Sequence, residues 1–145
     1  MLEFKTMLFP KKVKHRKWQR HRRNPNKKAV ATRGTTLAFG SYGVKALTPG
    51  RINAQQIEAC RRVLVRTVTK SGRVWIRIFP DRPYTAKAAE VGMGKGKGDL
   101  KGYEVEVLPG RILFEVDGAS ETVSRDALRK AGSKLPVKTK AVARS

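Results

Sequence analysis

Seven residues, Gly92-Met93-Gly94-Lys95-Gly96-Lys97-Gly98, put glycine at every other position with two lysines between them. A backbone without Cβ atoms can approach another surface closely, and lysines on such a backbone would meet phosphate. The segment does not suit cradling a nucleotide. A Walker loop needs Gly, four residues, then Gly-Lys and Ser or Thr, and no register of 92–99 supplies that or a G-x-G-x-x-G leading into a helix. A second basic feature is far longer. From Lys11 to Arg33 the chain carries Lys11, Lys12, Lys14, Arg16, Lys17, Arg20, Arg22, Arg23, Lys27, Lys28 and Arg33, with no Asp or Glu among them. Like charges repel and bury almost no apolar surface, so the ordering cost of roughly 1–2 kcal/mol per residue must be offset by a densely anionic partner.

Acid–base and metal chemistry find little support. His15 and His21 both lie in the basic arm, where they would flank phosphates. Glu104 and Glu106 share a strand face, but the adjacent Lys and Arg residues favour surface ion pairs over a general acid–base pair. Cys60 is the only cysteine, so an intrachain disulfide and a thiolate-rich zinc site are excluded and a reducing compartment is expected. No triad or facial metal site emerges, and neither a cofactor nor a catalytic residue is assigned.

The 145 residues carry a net charge of +22, with a pI near 11.1 and an apolar fraction of 39%. Such a balance points to a polyanion, because each cation that neutralises a phosphate releases condensed counterions. No run approaches the ~18–20 apolar residues of a membrane span, and the arm has no apolar face beyond Trp18, so nucleic acid is favoured over membrane. Residues 1–10 lack the apolar run of a secretory signal. An Arg-rich, acid-poor start does imitate an organelle transit peptide.

Two parts are expected: a basic extension over 1–34 and a single α+β domain over 35–145. Thr36 to Phe39 reads as a short strand closed by a Gly40-Ser41-Tyr42-Gly43 turn. Asn53 with Gln56 forms a capping-box pattern before a helix whose buried face is Ile57, Cys60, Leu64 and Val68. Its outward face holds Glu58, Arg61, Arg62 and Arg66, with Glu58 and Arg62 paired and two arginines unpaired. Ser71-Gly72 ends it. Arg73 to Phe79 then alternates, Val74, Ile76 and Ile78 against Arg73, Trp75, Arg77 and Phe79. The second face suits phosphate contact plus base stacking, or equally a buried layer with snorkelling arginines.

Residues 80–102 read as a long aperiodic loop, which in a compact domain is usually functional. Strands through Tyr103–Val107 and Ile112–Val116 flank Pro109-Gly110 and are expected to pair antiparallel, through a connection longer than those two residues. Ser120 caps a last helix with Val123, Ala127 and Ala131 on one face, ending near Gly132 and Pro136. Val137 to Val142 adds an edge strand protected by Lys138 and Lys140.

Several blocks together resemble one family. Met7-Leu8-Phe9-Pro10-Lys11-Lys12-Val13-Lys14, Phe39-Gly40-Ser41-Tyr42-Gly43, Gln56-Ile57-Glu58-Ala59, the run Val74 to Pro83, Met93 to Gly98, and Lys134-Leu135-Pro136-Val137-Lys138-Thr139 are similar to bacterial-type large-subunit ribosomal protein sixteen (the universal L-sixteen / L-ten-e family). The resemblance spans Met7 to about Val142. It implies an α+β hammerhead-type domain with a mixed or antiparallel sheet, two main helices and an extended N-terminal arm. It also implies a cytoplasmic ribosomal protein, or an organellar one, bound to large-subunit rRNA and neighbouring proteins beside the aminoacyl- and peptidyl-site tRNAs.

By that resemblance the arm, from Lys11 through Trp18 to Arg33, would thread between rRNA helices, joined by Arg73 and Arg77. Arg82 and Met93, Gly94, Lys95, Gly96, Lys97 and Gly98 would reach toward tRNA. The family carries Arg directly before Met-Gly, where this chain has Gly92, so the side chain for an arginine-specific contact or modification is missing there. Six residues precede Met7, which is expected to be the initiator. A free basic RNA-binding regulator or RNA chaperone is the alternative function.

Overall fold

Asn53 closes the expected capping box: its side-chain oxygen accepts from the Gln56 N–H at 2.9 Å, and the Gln56 side chain accepts from the Asn53 N–H at 3.0 Å. Helix α1, Ala54–Thr67, follows from it and turns Ile57, Cys60 and Leu64 inward, with Val68 buried at its C-cap. The computed structural model describes residues 8–20, 24, 26–68 and 72–145, so Ser71 of the expected helix stop lies outside the described residues, as do Met7, His21, Arg22 and Arg23. Glu58 departs from expectation: it is buried, and its carboxylate holds Arg61 as well as Arg62. The Arg61 hydrogen bond leads in holding that carboxyl below its ordinary pKa, against the opposing effect of burial.

Helix α2, Glu121–Gly132, starts where Ser120 accepts from the Val123 N–H at 3.4 Å. Ala127 and Ala131 are buried as expected, but Val123 is exposed, and Ser124 and Leu128 complete the inner face. In the first turn Ser124 takes the inner position, while Val123 lies at the margin of the packed face. The helices pack together, and Cys60 Sγ donates to the Ala131 carbonyl at 3.2 Å between them. Burial pushes this thiol up to about 12, so it is protonated and inert.

Seven strands complete an α+β fold among the described residues: β1 Tyr42–Ala46, β2 Gly50–Asn53, β3 Arg73–Ile76, β4 Arg82–Ala86, β5 Asp99–Val107, β6 Ile112–Asp117 and β7 Thr139–Ala143. They form two antiparallel sheets, ordered β3-β6-β1-β7 and β2-β5-β4. In the first, Val44 pairs with Phe114, and Val74 with Val116, setting one apolar face that joins the helices' core. Edge strand β7 begins two residues later than expected, so Lys140 lies on it and Lys138 just before it, both exposed.

Three expectations are corrected. The strands flanking Pro109-Gly110 do not pair with each other, since β5 belongs to one sheet and β6 to the other. Gly110 has φ +100° and the Arg111 N–H reaches the Leu108 carbonyl at 3.2 Å, the geometry of a type II turn, whose twist splays strands instead of closing a hairpin. The long loop is shorter than expected: 80–102 contains β4 and the start of β5, a hairpin whose tip is the glycine segment. Pro83 had obscured β4, and it is tolerated because β4 is an edge strand. Residues 36–39 form no strand, and the expected turn residues Tyr42 and Gly43 belong to β1. β2 was not anticipated.

The reason 36–39 is not a strand lies in Glu115, on the sheet face away from the helices and 0% exposed. Its carboxylate accepts from the N–H groups of Ala38 (2.8 Å), Phe39 (3.2 Å) and Gly40 (3.4 Å), which therefore turn onto a side chain and not into a ladder. Arg77 closes the charge at 2.8 Å. Gly40 is needed here, since a Cβ would stand 2.5 Å from the Val116 carbonyl oxygen. Burial alone would raise the Glu115 carboxyl, but Arg77 and the three N–H groups hold it below its ordinary value.

Removing one partner of a buried pair costs about 3–5 kcal/mol, so Glu115→Ala is expected to lower the unfolding free energy by about that much in urea melts. The pH sign follows from the depressed folded-state pKa. Glu115 contributes its full stabilisation above the unfolded-chain carboxylate value of about 4.3 and loses it as pH falls through the folded value. Urea midpoints measured down through that range should therefore fall less steeply in Glu115→Ala than in the parent chain.

Candidate nucleic-acid interface

The described arm residues, 8–20, 24 and 26–34, form no helix or strand, and Lys11, Lys12, Lys14, His15, Arg16, Lys17, Arg20, Lys27, Lys28 and Arg33 are all exposed. The arm is nevertheless tied down at defined points. At its far end the Ala31 N–H donates to the Pro109 carbonyl (2.9 Å), and the Gly34 carbonyl accepts from Ile112 (2.8 Å), so the arm is stitched to the turn between the two sheets. Near its start Leu8 packs against the core, and Phe9 meets Tyr103 of β5 edge-to-face at 6.2 Å.

The middle of the arm rests on the β4–β5 hairpin through Arg82. This side chain is only 11% exposed. Its guanidinium donates to the Gln19 carbonyl at 2.8 Å, lies 5.6 Å from the centre of the Trp18 ring, and stands 4.0 Å from Glu104 and 3.8 Å from Glu106. Arg51 of β2 shares Glu104 at 3.8 Å. The two glutamates thus form the ion-pair ladder expected of them and hold the arginine beneath the arm. Arg82, expected near tRNA, joins arm and hairpin in the folded chain. The space around it is about 40 Å3, too small for a base.

At the hairpin tip Gly94, Lys95 and Gly96 are all left-handed, with φ of +101°, +59° and +89°. Apart from each glycine's own chain neighbours, no described residue lies within 4 Å of where a Cβ at Gly92, Gly94 or Gly96 would stand. Glycine at 94 and 96 therefore serves the left-handed backbone, not close packing inside the chain. Met93 is fully exposed and Lys95 projects freely. Lys97 turns back instead, donating to the Trp18 carbonyl, while Lys87 donates to the Gly94 carbonyl. Arm and tip meet at Trp18.

Arg73 and Arg77 lie on the sheet face away from the helices. Arg73 is exposed, whereas Arg77 is 21% exposed and committed to Glu115. Trp75 stacks on Phe39, so the interleaved face is neither core nor bare surface but is partly roofed by residues 37–40. The roles of Glu115 and Phe39 were missed, because both depend on contacts between segments distant in the chain, 38 positions for Glu115 with Arg77 and 76 for Glu115 with Phe39. Among the described residues no helix is long and apolar enough to cross a membrane, and no cluster of three or more His, Cys, Asp or Glu could hold a metal.

The sequence profile of the family described as Ribosomal protein L16p/L10e matches residues 10–142. The chain is 51% identical over 138 residues to a large ribosomal subunit protein uL16 from Kosmotoga olearia, covering 95% of each chain. It is 52% identical to the proteins of that name from Thermosipho melanesiensis and Allorhizobium ampelinum, again over 95% of this chain and 94% and 98% of theirs.

The clamp is testable on the protein itself. Arg82→Gln removes the cation from the Trp18 ring and with it about 1–2 kcal/mol of tethering, a factor of roughly 5–30 in the detached population. Limited trypsin digestion should cut after Lys17 and Arg20 faster by about that factor, with the hairpin and core remaining intact.

Proposed function

The chain belongs to the ribosomal protein L16p/L10e family, and from that premise we propose that it is a structural constituent of the large ribosomal subunit. It binds large-subunit rRNA and neighbouring ribosomal proteins and helps to position tRNA in the aminoacyl and peptidyl sites. Its work is architectural. The arm neutralises phosphate where rRNA segments converge, and sequence-independent contacts supply most of its affinity. Arg73 adds a further cation on the sheet. Shape supplies the specificity.

One observation carries this reading: the arm and the glycine tip are held together by Arg82 and Lys97 at Trp18 and Gln19. An arm fixed in rRNA would thereby fix the tip that faces tRNA. The two lysines then have different tasks, Lys97 bracing the tip against the arm and Lys95 presenting charge outward. Its place of work, on this reading, is the ribosome in the cytoplasm.

In sucrose gradients after a moderate salt wash, the protein should stay with the large subunit. Replacing both Lys95 and Lys97 by Ala should weaken tRNA accommodation, measured by aminoacyl-site filter binding, more than it weakens incorporation. Deletion through Lys28 keeps the Ala31 and Gly34 stitches. It should lower incorporation and reduce the log–log salt slope of rRNA binding by about 0.7–0.9 for each phosphate that the arm no longer neutralises.

A further inference from the structure

Phe39 is 56% exposed, yet its ring is held in place. It stacks on Trp75 with centroids 6.1 Å apart and planes 19° from parallel, and the Arg77 guanidinium lies 5.2 Å from its centre. Trp75 of β3 and Arg77, just past the end of that strand, both lie against the ring from the sheet, and over half of Phe39 remains exposed. The arginine is fixed in turn by Glu115. The result is a rigid aromatic surface presented to solvent.

Beside the ring is a cleft of about 310 Å3 lined by Phe39, Arg73, Trp75, Asp117 and Gly118. That is the lower end of the ~300–1,000 Å3 range of small-ligand sites. β3 is an edge strand, so no neighbouring strand closes that side. Arg73 and Asp117 are partners across the β3–β6 ladder, which puts a cation and a carboxylate at the same end of the cleft. One oxygen of Asp117, Oδ1, accepts from Ser41 Oγ and the Gly118 N–H, both at 2.9 Å. Its other oxygen, Oδ2, has no hydrogen-bond partner among the described residues.

We propose that this cleft is a nucleobase subsite. An unpaired RNA base stacks on the Phe39–Trp75 surface, its phosphate meets Arg73, and Asp117 Oδ2 accepts from an imino or amino N–H on the base edge. The occupant follows from the chemistry: an aromatic surface takes any base face, a cation beside it takes the linked phosphate, and a carboxylate selects bases with N–H donors. Guanine, with adjacent N1–H and N2–H donors, gains more from Asp117 than uracil, with one N–H. This subsite rests on the RNA-binding reading above and adds to it a contact that phosphate neutralisation does not supply.

The test uses the full chain carrying Trp18→Phe, so that Trp75 alone fluoresces. Three single-stranded heptamers of equal charge are compared: oligouridylate, the same with guanine at its centre, and a fully abasic backbone. The guanine heptamer is expected to bind roughly fivefold to a hundredfold more tightly than the abasic one, with the same salt slope, and to quench Trp75. Phe39→Leu should remove that advantage and leave abasic binding unchanged, and Asp117→Asn should narrow the difference between guanine and uracil.

Equal affinity for guanine and abasic heptamers with unquenched Trp75 would overturn the subsite while leaving phosphate binding intact. Loss of abasic binding in Phe39→Leu would show the ring to be structural and equally overturn it. If none of the heptamers binds with a salt-dependent affinity, the RNA-binding reading itself fails, and the subsite with it.

Discussion

A single buried carboxylate organises the side of this molecule that carries no helix. Glu115 lies at the centre of β6, flanked by β1 and β3, where a charge can persist only if fully paired and hydrogen-bonded. Arg77 and three successive backbone N–H groups meet that requirement. In doing so they fix the chain between the arm and β1 against the sheet and orient Phe39 over Trp75. They also use up the guanidinium of Arg77, which from composition alone would be one more cation for RNA.

The same competition sets the character of the whole surface. A chain of +22 has few acids, and the folded domain places several of them on particular arginines: Glu115 on Arg77, Glu58 on Arg61 and Arg62, Glu104 and Glu106 on Arg82. These paired arginines act as structural ties. Among the cations without such partners are those of the described arm, Lys95 of the hairpin tip and Arg73, all exposed where a polyanion can reach them. Exposed ion pairs on α2 add little to stability by comparison.

The connection at Pro109-Gly110 has an equally large consequence for shape. By splaying β5 from β6 it sends one strand into each sheet, and Ala31 and Gly34 of the arm bond to the residues on either side of the turn. The arm's path is therefore referred to both sheets at once. Midway along its length the Arg82 clamp refers it to the hairpin. An element with no secondary structure of its own thus gains a defined course from side chains and turns of the folded domain.

Much was determined by the sequence alone. The capping box at Asn53, the buried stripe of α1, the Ser120 cap, the lysine-bearing edge at β7 and the dense positive charge of the arm all rest on local spacing or on composition, which the chain carries wherever it folds. The six motif blocks likewise identified the family. Tertiary structure decided what depends on partners distant in the chain. β4 was hidden because Pro83 is acceptable only at a sheet edge, and edges exist only once strands are ordered. The apparent hairpin at Pro109 dissolved because alternation marks a strand but not its neighbour. Glu115 reads as an ordinary outward glutamate of an alternating strand until residues 38–40 are laid across it, and Arg82 reads as one more cation until Trp18 arrives from the arm. Both roles arise from desolvation and geometry, and neither exists before the chain has folded.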